Sequence, residues 1–272
     1  MLKTLIIGKK SNLSKKLVKK LNNVVLISSR EVFKNINILE NFKDESINII
    51  FNNFQPATKL NSNENYAEYI KSSIFVTSTV LEYFRNTNIN KIIYSSSSSV
   101  YGDNSFCTET DILKPSNLHS SLKIANEKLI EKFCREQKID YTISRIFNMF
   151  GGNDEFSIIK KIVNAYFDNA EITILNNGTA IRDFIHIDDV VEVYAYILGV
   201  KNVKILNIGS GVGNSVENIL SFLENNGIKI DTFNIQREEL KISTANSRLL
   251  TKVTNKSSFK KVEDYLFKEL KL

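Results

Sequence analysis

Short apolar runs alternate with segments of helical periodicity along the first half of the chain, and this alternation constrains the fold more than any other feature. The run at residues 2–8 predicts a strand buried on both faces, and residues 11–21 follow with apolar side chains at helical spacing. The pattern recurs, with further strand-like runs at 24–27, 47–51, 91–94 and 141–147. Strands that alternate with helices predict a parallel sheet covered by helices on both faces.

The other predicted elements are less regular. Residues 35–39 are assigned to strand three, which makes 47–51 the fourth strand, and long helices are predicted over about 64–86 and over 116–137. Beyond Phe150 the pattern is mixed. There we expect strands at 172–175, 203–208 and 228–231, and helices at about 155–168, 188–199, 215–225 and 257–270.

Composition narrows the class of protein. The chain has 42% hydrophobic and 24% charged residues, which is typical of a soluble globular protein. No window approaches the roughly 20 apolar residues of a membrane span, and the N-terminus leads straight into the first apolar run without a signal peptide. We therefore expect a cytoplasmic protein with no membrane partner.

Cysteine and charge exclude two further classes. Cys107 and Cys134 are too few for a disulfide framework, and neither has a metal-ligand spacing, so no metal site is predicted. The net charge of +6 is spread as lysine pairs without an arginine-rich or aromatic-basic motif, so no nucleic acid partner is expected. The positive charge either attracts anions such as nucleotide phosphates or reflects a biased source genome.

The turn after the first strand carries one glycine. In residues 8–14, Gly8 takes the first position of a GxxGxxG pattern, while Ser11 and Ser14 take the other two. A strand, such a turn and a helix direct backbone N–H groups at a pyrophosphate. We predict dinucleotide contacts at Gly8, Ser11, Asn12 and Leu13. One glycine between a strand and a helix also occurs in proteins without a cofactor.

The end of the second strand bears on the choice of cofactor. An acidic residue there would bind the adenosine ribose hydroxyls. Ser29 and Arg30 stand there instead, and a hydroxyl followed by a guanidinium suits a 2′-phosphate. This favours NADP. NAD remains the alternative because Glu31 follows, and Arg30 is equally compatible with a solvated loop.

Four later segments resemble those of one family and occur in that family's order. They are KIIYSSSSSVYG at 91–102, YTISRIFNMFG at 141–151, RDFIHIDDV at 182–190 and NIGSGVGNSV at 207–216. The chain is identified by them as a member of the NAD(P)-dependent sugar epimerase/dehydratase family, the extended short-chain dehydrogenases. The resemblance covers nearly the whole chain. It implies a Rossmann-like doubly wound α/β sheet with a smaller C-terminal α/β substrate part.

The resemblance also implies hydride transfer at a sugar ring. In this family a YxxxK tyrosine exchanges the sugar hydroxyl proton, the lysine binds the nicotinamide ribose, and a serine or threonine contacts the same sugar oxygen. The lysine matches Lys123 and the hydroxyl matches Ser97, with Ser98 as its neighbour in an ambiguous serine run. Further implied contacts are with cofactor at Asn52, Asn53, Ser95 and Phe147, and with substrate at Ser98, Asn148 and Arg182.

The family's tyrosine position holds His119, which leaves three hypotheses open. An imidazole with a pKa near its usual 6.5 can replace tyrosine as the acid/base, although the Lys123 ammonium would lower that pKa. Alternatively, another group transfers the proton and His119 only binds substrate. In the third hypothesis, hydride chemistry is lost.

The leading prediction is an NADP-dependent reductase of a 4-keto nucleotide-linked deoxysugar. A dehydratase would carry an Asp-Glu pair where Ser98 and Ser99 stand. A 4-epimerase with bound NAD is the closest alternative, and a catalytically silent nucleotide-sugar-binding relative is another. We expect a dinucleotide part at 1–147 and 181–209, a substrate part at 148–180 and 210–272, and the site between them. Family members are often dimers, so a homodimer is open.

Overall fold

The computed structural model describes residues 2–54 and 66–271. Within them the strands are β1 (Lys3–Ile7), β2 (Val24–Ile27), β3 (Ile47–Phe51), β4 (Ile89–Ser97), β5 (Asn104–Cys107), β6 (Asp140–Ile146), β7 (Asn148–Phe150), β8 (Ile172–Leu175), β9 (Ile181–His186), β10 (Ile205–Ile208), β11 (Gly213–Ser215), β12 (Thr232–Ile235) and β13 (Ile242–Ala245). The α-helices are α1 (Asn12–Lys20), α2 (Ser29–Lys34), α3 (Tyr66–Ile70), α4 (Val76–Tyr83), α5 (Leu118–Gln137), α6 (Ile158–Asp168), α7 (Ile187–Ile197), α8 (Val216–Asn225), α9 (Arg248–Thr254) and α10 (Val262–Leu270).

The chain divides into two compact units. The first comprises Met1–Val100, Pro115–Arg145 and Val191–Leu206, and the second comprises Tyr101–Lys114, Ile146–Val190 and Asn207–Leu272. This division differs from the expected one at residues 101–114, 146–147, 181–190 and 207–209, which belong to the second unit. The reason is strand pairing, because β9 pairs with β7, β11 and β13, and β13 also pairs with β5.

The first unit is built on a six-stranded sheet of order β10-β6-β4-β3-β1-β2. The pairs β1–β2, β1–β3 and β3–β4 are parallel, and every residue of β3 is buried. The strand order reverses at β1, which has β2 on one side and β3 on the other. This confirms the Rossmann-like fold. The carboxyl ends of β1 and β3 flank the point where such sheets bind ligands.

The predicted third strand at 35–39 is wrong. Those residues enter a 3₁₀ helix over Ile36–Phe42, and the side chain of Asn35 caps it by accepting from the Asn37 N–H at 3.0 Å. Leu39 and Phe42, three residues apart, are buried on one side of that helix, because a 3₁₀ helix repeats every three residues. The run at 47–51 is therefore the third strand of the sheet.

The long helix predicted over 64–86 is interrupted. Its first two residues lie outside the described part of the chain, and α3 and α4 are separated by a π-helical turn over Lys71–Phe75. The Val76 N–H bonds to the Lys71 carbonyl, five residues back. A wider turn of this kind leaves backbone carbonyls outside the regular helical ladder.

The second unit has a five-stranded mixed sheet and a separate parallel pair, β8–β12. A strand was predicted at 228–231, but Ile228 is buried and donates its N–H to the Leu223 carbonyl at the end of α8. The strand begins only at Thr232, and all four residues of β12 are exposed. The apolar residues of β12, Phe233 and Ile235, are 55% and 41% exposed, whereas the buried Ile228 precedes the strand.

The helices and the metal-ligating side chains of residues 2–54 and 66–271 bear on two functional classes, membrane proteins and metalloproteins. None of the helices there is long and apolar enough to cross a membrane. No group of His, Cys, Asp and Glu side chains in the same residues could hold a metal ion. Cys107 and Cys134 are buried free thiols, and burial raises their pKa values to about 11 and about 12.

Candidate functional site

The turn after β1 is shaped around Gly8. Its φ is +124°, and a Cβ placed there would lie 2.2 Å from the Asn52 carbonyl oxygen, so only glycine fits. The Asn52 N–H donates to the Ile7 carbonyl at 2.8 Å, and its side-chain amide donates to Ser11 Oγ and Ser14 Oγ, each at 3.0 Å. Asn52 thus connects the ends of β1 and β3, and it bonds to the two serines that stand where the motif has glycines.

Helix α1 begins directly after this turn. Its N-cap Ser11 makes no side-chain cap, which differs from the usual role of serine at this position, and no acidic residue lies in the first helical turn. Asn12 is half-buried, whereas Leu13 is buried and anchors the helix to the sheet. The helix N-terminus therefore offers backbone N–H groups, without competing carboxylates, to an anion.

The end of β2 is organised by Glu31. Its carboxylate accepts from the Ser28 N–H at 2.7 Å while Ser28 Oγ accepts from the Glu31 N–H at 3.2 Å, a capping box for α2. The Ser28 backbone bond lowers the pKa of Glu31, and Lys9 of the first turn lies 3.6 Å from the carboxylate. Ser29 donates to the Ser72 carbonyl at 3.2 Å, and Arg30 is exposed.

Lys123 lies buried beside the end of β4. Its ammonium donates to the Ser95 carbonyl at 2.6 Å, and it stands 4.1 Å from the centre of the Phe54 ring and 5.3 Å from that of Tyr94. Burial lowers the pKa of Lys123 to about 7, against the opposing effect of Glu127. Lys123 therefore changes protonation close to neutral pH.

His119 is half-buried in the first turn of α5. Its Nδ1 lies 2.5 Å from the Tyr69 hydroxyl, and Phe54 meets its ring edge-on with centroids 5.7 Å apart. Burial, with a smaller effect of Lys123, lowers the pKa of His119 to about 3. The ring is therefore neutral at physiological pH, and the imidazolium that the acid/base hypothesis needs for protonating an alkoxide is not the resting form.

The serine run at the end of β4 separates into different environments. Ser97 is half-buried, and its hydroxyl accepts from the Ser99 N–H at 3.2 Å. Ser98 is 7% exposed, and its contact with substrate stays a prediction. Ser95 exchanges a hydrogen bond with the Tyr194 hydroxyl at 2.7 Å.

A buried ion pair holds α5 against the sheet. Arg145 on β6 reaches the two carboxylate oxygens of Glu127 at 3.2 and 2.8 Å, and both side chains are less than 5% exposed. The Ser96 hydroxyl donates to the same carboxylate. Because Glu127 is on the helix that carries His119 and Lys123, these bonds fix the position of both.

Asn53, directly after β3, is buried and hydrogen-bonded to the π-helical turn and to α4. Its amide donates to the Ser72 and Ser73 carbonyls at 3.0 and 2.9 Å and to Thr77 Oγ1 at 3.2 Å. Its Oδ1 is buried and has no hydrogen-bond partner among the described residues. A buried acceptor without a donor is a feature that a bound molecule can satisfy.

Three predicted site residues belong to the second unit. Asn148 donates to the Asp183 carbonyl at 3.3 Å, and Phe147, assigned to the cofactor, is buried beside Gly209. Arg182 lies 2.9 Å from Glu239, a partner that the sequence analysis did not identify, and also donates to the Leu240 carbonyl at 2.5 Å.

Asp183 joins two of the segments that resemble the family's motifs. Its buried carboxylate accepts from the N–H groups of Ser210, Gly211 and Ala245 at 2.8, 2.9 and 3.1 Å. Ser210 Oγ donates to it as well, at 2.7 Å. The RDFIHIDDV and NIGSGVGNSV segments are therefore joined by one carboxylate, which gives this aspartate a structural role.

Residues 10–209 match the sequence model of the NAD dependent epimerase/dehydratase family. The chain belongs to this family. Protein CapI of Staphylococcus aureus is 33% identical over 156 residues, covering 56% of this chain and 46% of that protein. A putative UDP-glucose 4-epimerase of Methanocaldococcus jannaschii is 27% identical over 210 residues, covering 73% and 68%. The chain spans about half the length of the first curated relatives it matches.

Solved structures share the fold. MoeE5 in complex with UDP-glucuronic acid and NAD superposes with a TM-score of 0.87 at 22% identity, covering 96% of this chain and 95% of that chain. UDP-glucose 4-epimerase from Thermotoga maritima with UDP-glucose gives a TM-score of 0.84 at 21% identity, with coverage of 97% and 96%. At these identities the likeness establishes the Rossmann-like architecture.

The dinucleotide implied by the epimerase/dehydratase family fits the residues of the first unit. The Gly8 turn admits no side chain, α1 presents its N-terminus, and Asn53 Oδ1 is an acceptor without a partner among the described residues. Lys123 is positioned at the end of β4 by the Ser95 carbonyl. These residues are the ones that would hold the cofactor.

Sequence reasoning missed Tyr69 and Phe54. Tyr69 lies 50 positions before the histidine it contacts, and no motif marks it. Phe54 stands in a segment where the family usually has small residues, and its ring lies beside Lys123, Tyr69 and His119. The unusual bulk at that position was the one signal that could have drawn attention to it.

Proposed function

We propose that the chain is a nicotinamide-dependent oxidoreductase that acts at C4 of a nucleotide-linked sugar. The observation that carries this proposal lies within one unit: a glycine turn at the reversal point of the sheet, together with the buried Lys123 and His119 beside the end of β4. Membership in the NAD dependent epimerase/dehydratase family supports the same class. A cytoplasmic location and a homodimer remain predictions.

The leading reaction is reduction of a 4-keto sugar. When bound, the nicotinamide supplies the hydride. Lys123, with a pKa of about 7, can deliver a proton at neutral pH. Its ammonium is oriented by the hydrogen bond that it donates to the Ser95 carbonyl. His119 and Ser97 are proposed to bind the sugar oxygen. Asn148 and Arg182 of the second unit remain predicted substrate contacts. The Phe54 ring lies against the Lys123 ammonium, whose nitrogen is 4.1 Å from the ring centre.

A 4-epimerase with NAD is the second candidate and fits the relatives at least as well. The Methanocaldococcus relative is named a putative UDP-glucose 4-epimerase, and a Thermodesulfobacterium geofontis relative, 26% identical, is named a UDP-glucuronate 4-epimerase. For the cofactor, Ser29 and Arg30 favour NADP. The acidic Glu31 and the NAD of the solved neighbours favour NAD.

Product analysis separates these reactions. The purified protein is incubated with a 4-keto nucleotide sugar plus NADPH or NADH, and separately with UDP-glucose or UDP-glucuronic acid, and products are read by NMR. A reductase consumes reduced cofactor in step with alcohol formed, whereas an epimerase interconverts the 4-hydroxyl configuration without net consumption. If cofactor binds but neither product forms, the hypothesis of a catalytically silent nucleotide-sugar-binding relative is favoured.

A matched pair of lysine variants controls this experiment. Lys123→Met is expected to abolish turnover because it removes the buried ammonium. Lys132→Met changes an exposed lysine on the same helix, whose side chain is 69% exposed, and is expected to leave turnover unchanged. Equal turnover in the two variants would contradict the proposed role of Lys123.

A further inference from the structure

Tyr69, which contacts His119, lies outside all the sequence motifs described above. The contact joins α3 to the first turn of α5 through a hydroxyl and a ring nitrogen 2.5 Å apart. Tyr69 is 4% exposed, so its hydroxyl is taken out of bulk water and is satisfied by this bond. Nδ1 is the bonded ring nitrogen. Among the described residues no hydrogen bond falls on Nε2 of the half-buried ring.

The backbone at Tyr69 is held by the π-helical turn. The hydroxyls of Ser72 and Ser73 donate to the Tyr69 carbonyl at 3.1 and 2.6 Å. The carbonyls of the same two serines accept from Asn53. The loop end of β3 and the helix that carries Tyr69 are therefore joined by buried hydrogen bonds.

The protonation of the pair follows from its surroundings. Burial raises the pKa of Tyr69, so the phenol keeps its proton. Burial and Lys123 keep His119 neutral. Among the described residues, the other ionisable groups that act on this cluster are Glu127, on the same helix, and Tyr94, whose pKa is also raised. A neutral imidazole has one N–H and one acceptor nitrogen. A phenol is the stronger donor of the two, so its proton lies toward Nδ1.

We propose that Tyr69 is a positioning residue that holds His119 as the neutral Nε2–H tautomer, with Nε2–H directed to the C4 oxygen of the sugar. A neutral imidazole N–H can polarise a carbonyl without releasing its proton. In this arrangement His119 supplies the hydrogen bond that the family's tyrosine hydroxyl would make, and Lys123 is the group that exchanges the proton. The inference rests on the proposed function for the identity of the sugar oxygen.

Nitrogen NMR tests the tautomer without cofactor or substrate. The chain has two histidines, so a ¹⁵N-labelled sample gives two ring systems, and His119→Gln assigns them. We expect the His119 ring to carry its proton on Nε2 and to stay neutral down to about pH 4. A proton on Nδ1, or titration near pH 6.5, would overturn the proposal.

A pair of tyrosine variants makes the test specific. Tyr69→Phe is expected to shift the Nδ1 resonance and to mix the two tautomers. Tyr83→Phe removes an exposed hydroxyl that bonds to Glu40 and is expected to leave the His119 resonances unchanged. An unaltered His119 spectrum in a folded Tyr69→Phe protein would overturn the pairing.

Kinetics then separate this inference from the proposed function. With an identified substrate, Tyr69→Phe is expected to lower kcat about tenfold, at unchanged KM for the dinucleotide. The basic limb of the pH profile, which Lys123 sets, should not move. Unchanged kcat in Tyr69→Phe would overturn the inference alone. Absence of turnover in the wild type, with the Nε2–H tautomer observed, would overturn the proposed function and leave the tautomer assignment standing.

Discussion

At the scale of single residues, Gly8 shows why the first turn retains one glycine of three. Its positive φ and the Asn52 carbonyl leave no room for a side chain, whereas Ser11 and Ser14 hold positions where a hydroxyl is useful to Asn52. At the two other positions, where the motif has glycines, the serine hydroxyls accept hydrogen bonds from the Asn52 amide. The erosion of the motif is local and leaves the turn itself intact.

Gly8→Ala is expected to destabilise the protein by about 2–3 kcal/mol, because the new Cβ meets backbone and the residue prefers negative φ. Gly227→Ala is the matched control, since Gly227 also has positive φ, +82°, but has open space around its Cβ position. That variant should lose only about 1 kcal/mol. Chemical denaturation of both proteins measures the difference. Equal losses would show that the Asn52 contact is unimportant.

Lys123→Met is expected to raise the free energy of unfolding by about 2 kcal/mol at pH 6, since burying an ammonium costs more than burying a thioether. The folded-state pKa of about 7 lies below the ordinary 10.5, so wild-type stability rises with pH between those values. The advantage of the variant should therefore shrink toward pH 10. Denaturation at pH 6, 8 and 10 measures this. A variant less stable at pH 6 would refute the cost assigned to the buried charge.

At the scale of secondary-structure elements, α5 determines the geometry of the site. It carries His119 and Lys123, and it is fixed by the pair between Glu127 and Arg145 rather than by apolar packing alone. The π-helical turn has a comparable role on the other side, because it supplies the carbonyls that hold Asn53. Both elements place polar groups by means of buried hydrogen bonds.

Glu127→Gln is expected to destabilise the protein by about 3 kcal/mol, because Arg145 would keep a buried charge without its counter-ion. The matched control is Glu131→Gln on the same helix. Glu131 pairs with Lys128, whose side chain is 69% exposed, and its loss should cost no more than about 0.5 kcal/mol. Thermal and chemical unfolding of both variants would test this, and similar stabilities would contradict the anchoring role of Glu127.

At the scale of the whole molecule, the alternation of apolar runs was enough to predict the parallel sheet. The strand predicted at residues 35–39 was wrong because Ile36 and Ile38 alternate with asparagines as in a strand, whereas the three-residue spacing of the buried Leu39 and Phe42 fits a 3₁₀ helix. The candidate lysine and histidine followed from the family motif. Tyr69 could not, since its bond to His119 depends on the mutual placement of α3 and α5.

The same molecule should lose stability in acid through His119. Its folded-state pKa of about 3 lies below the ordinary 6.5, so the unfolded chain takes up this proton first as the pH falls. The free energy of unfolding that the neutral His119 contributes above pH 6.5 is therefore lost progressively as the pH falls toward 3. His119→Gln should reduce the slope of unfolding free energy against pH between 6.5 and 4. An unchanged slope would mean that the ring is not buried as a neutral group.

On the proposed function, the first unit holds a nicotinamide whose hydride reaches C4 of a nucleotide sugar. The most direct measurement follows the absorbance of reduced nicotinamide after protein loaded with it is mixed with a 4-keto nucleotide sugar in excess. We predict that the absorbance is lost, in the wild type and in Lys132→Met but not in Lys123→Met. Persistence of the absorbance in the wild type, with calorimetry showing that both ligands are bound, would contradict the claim.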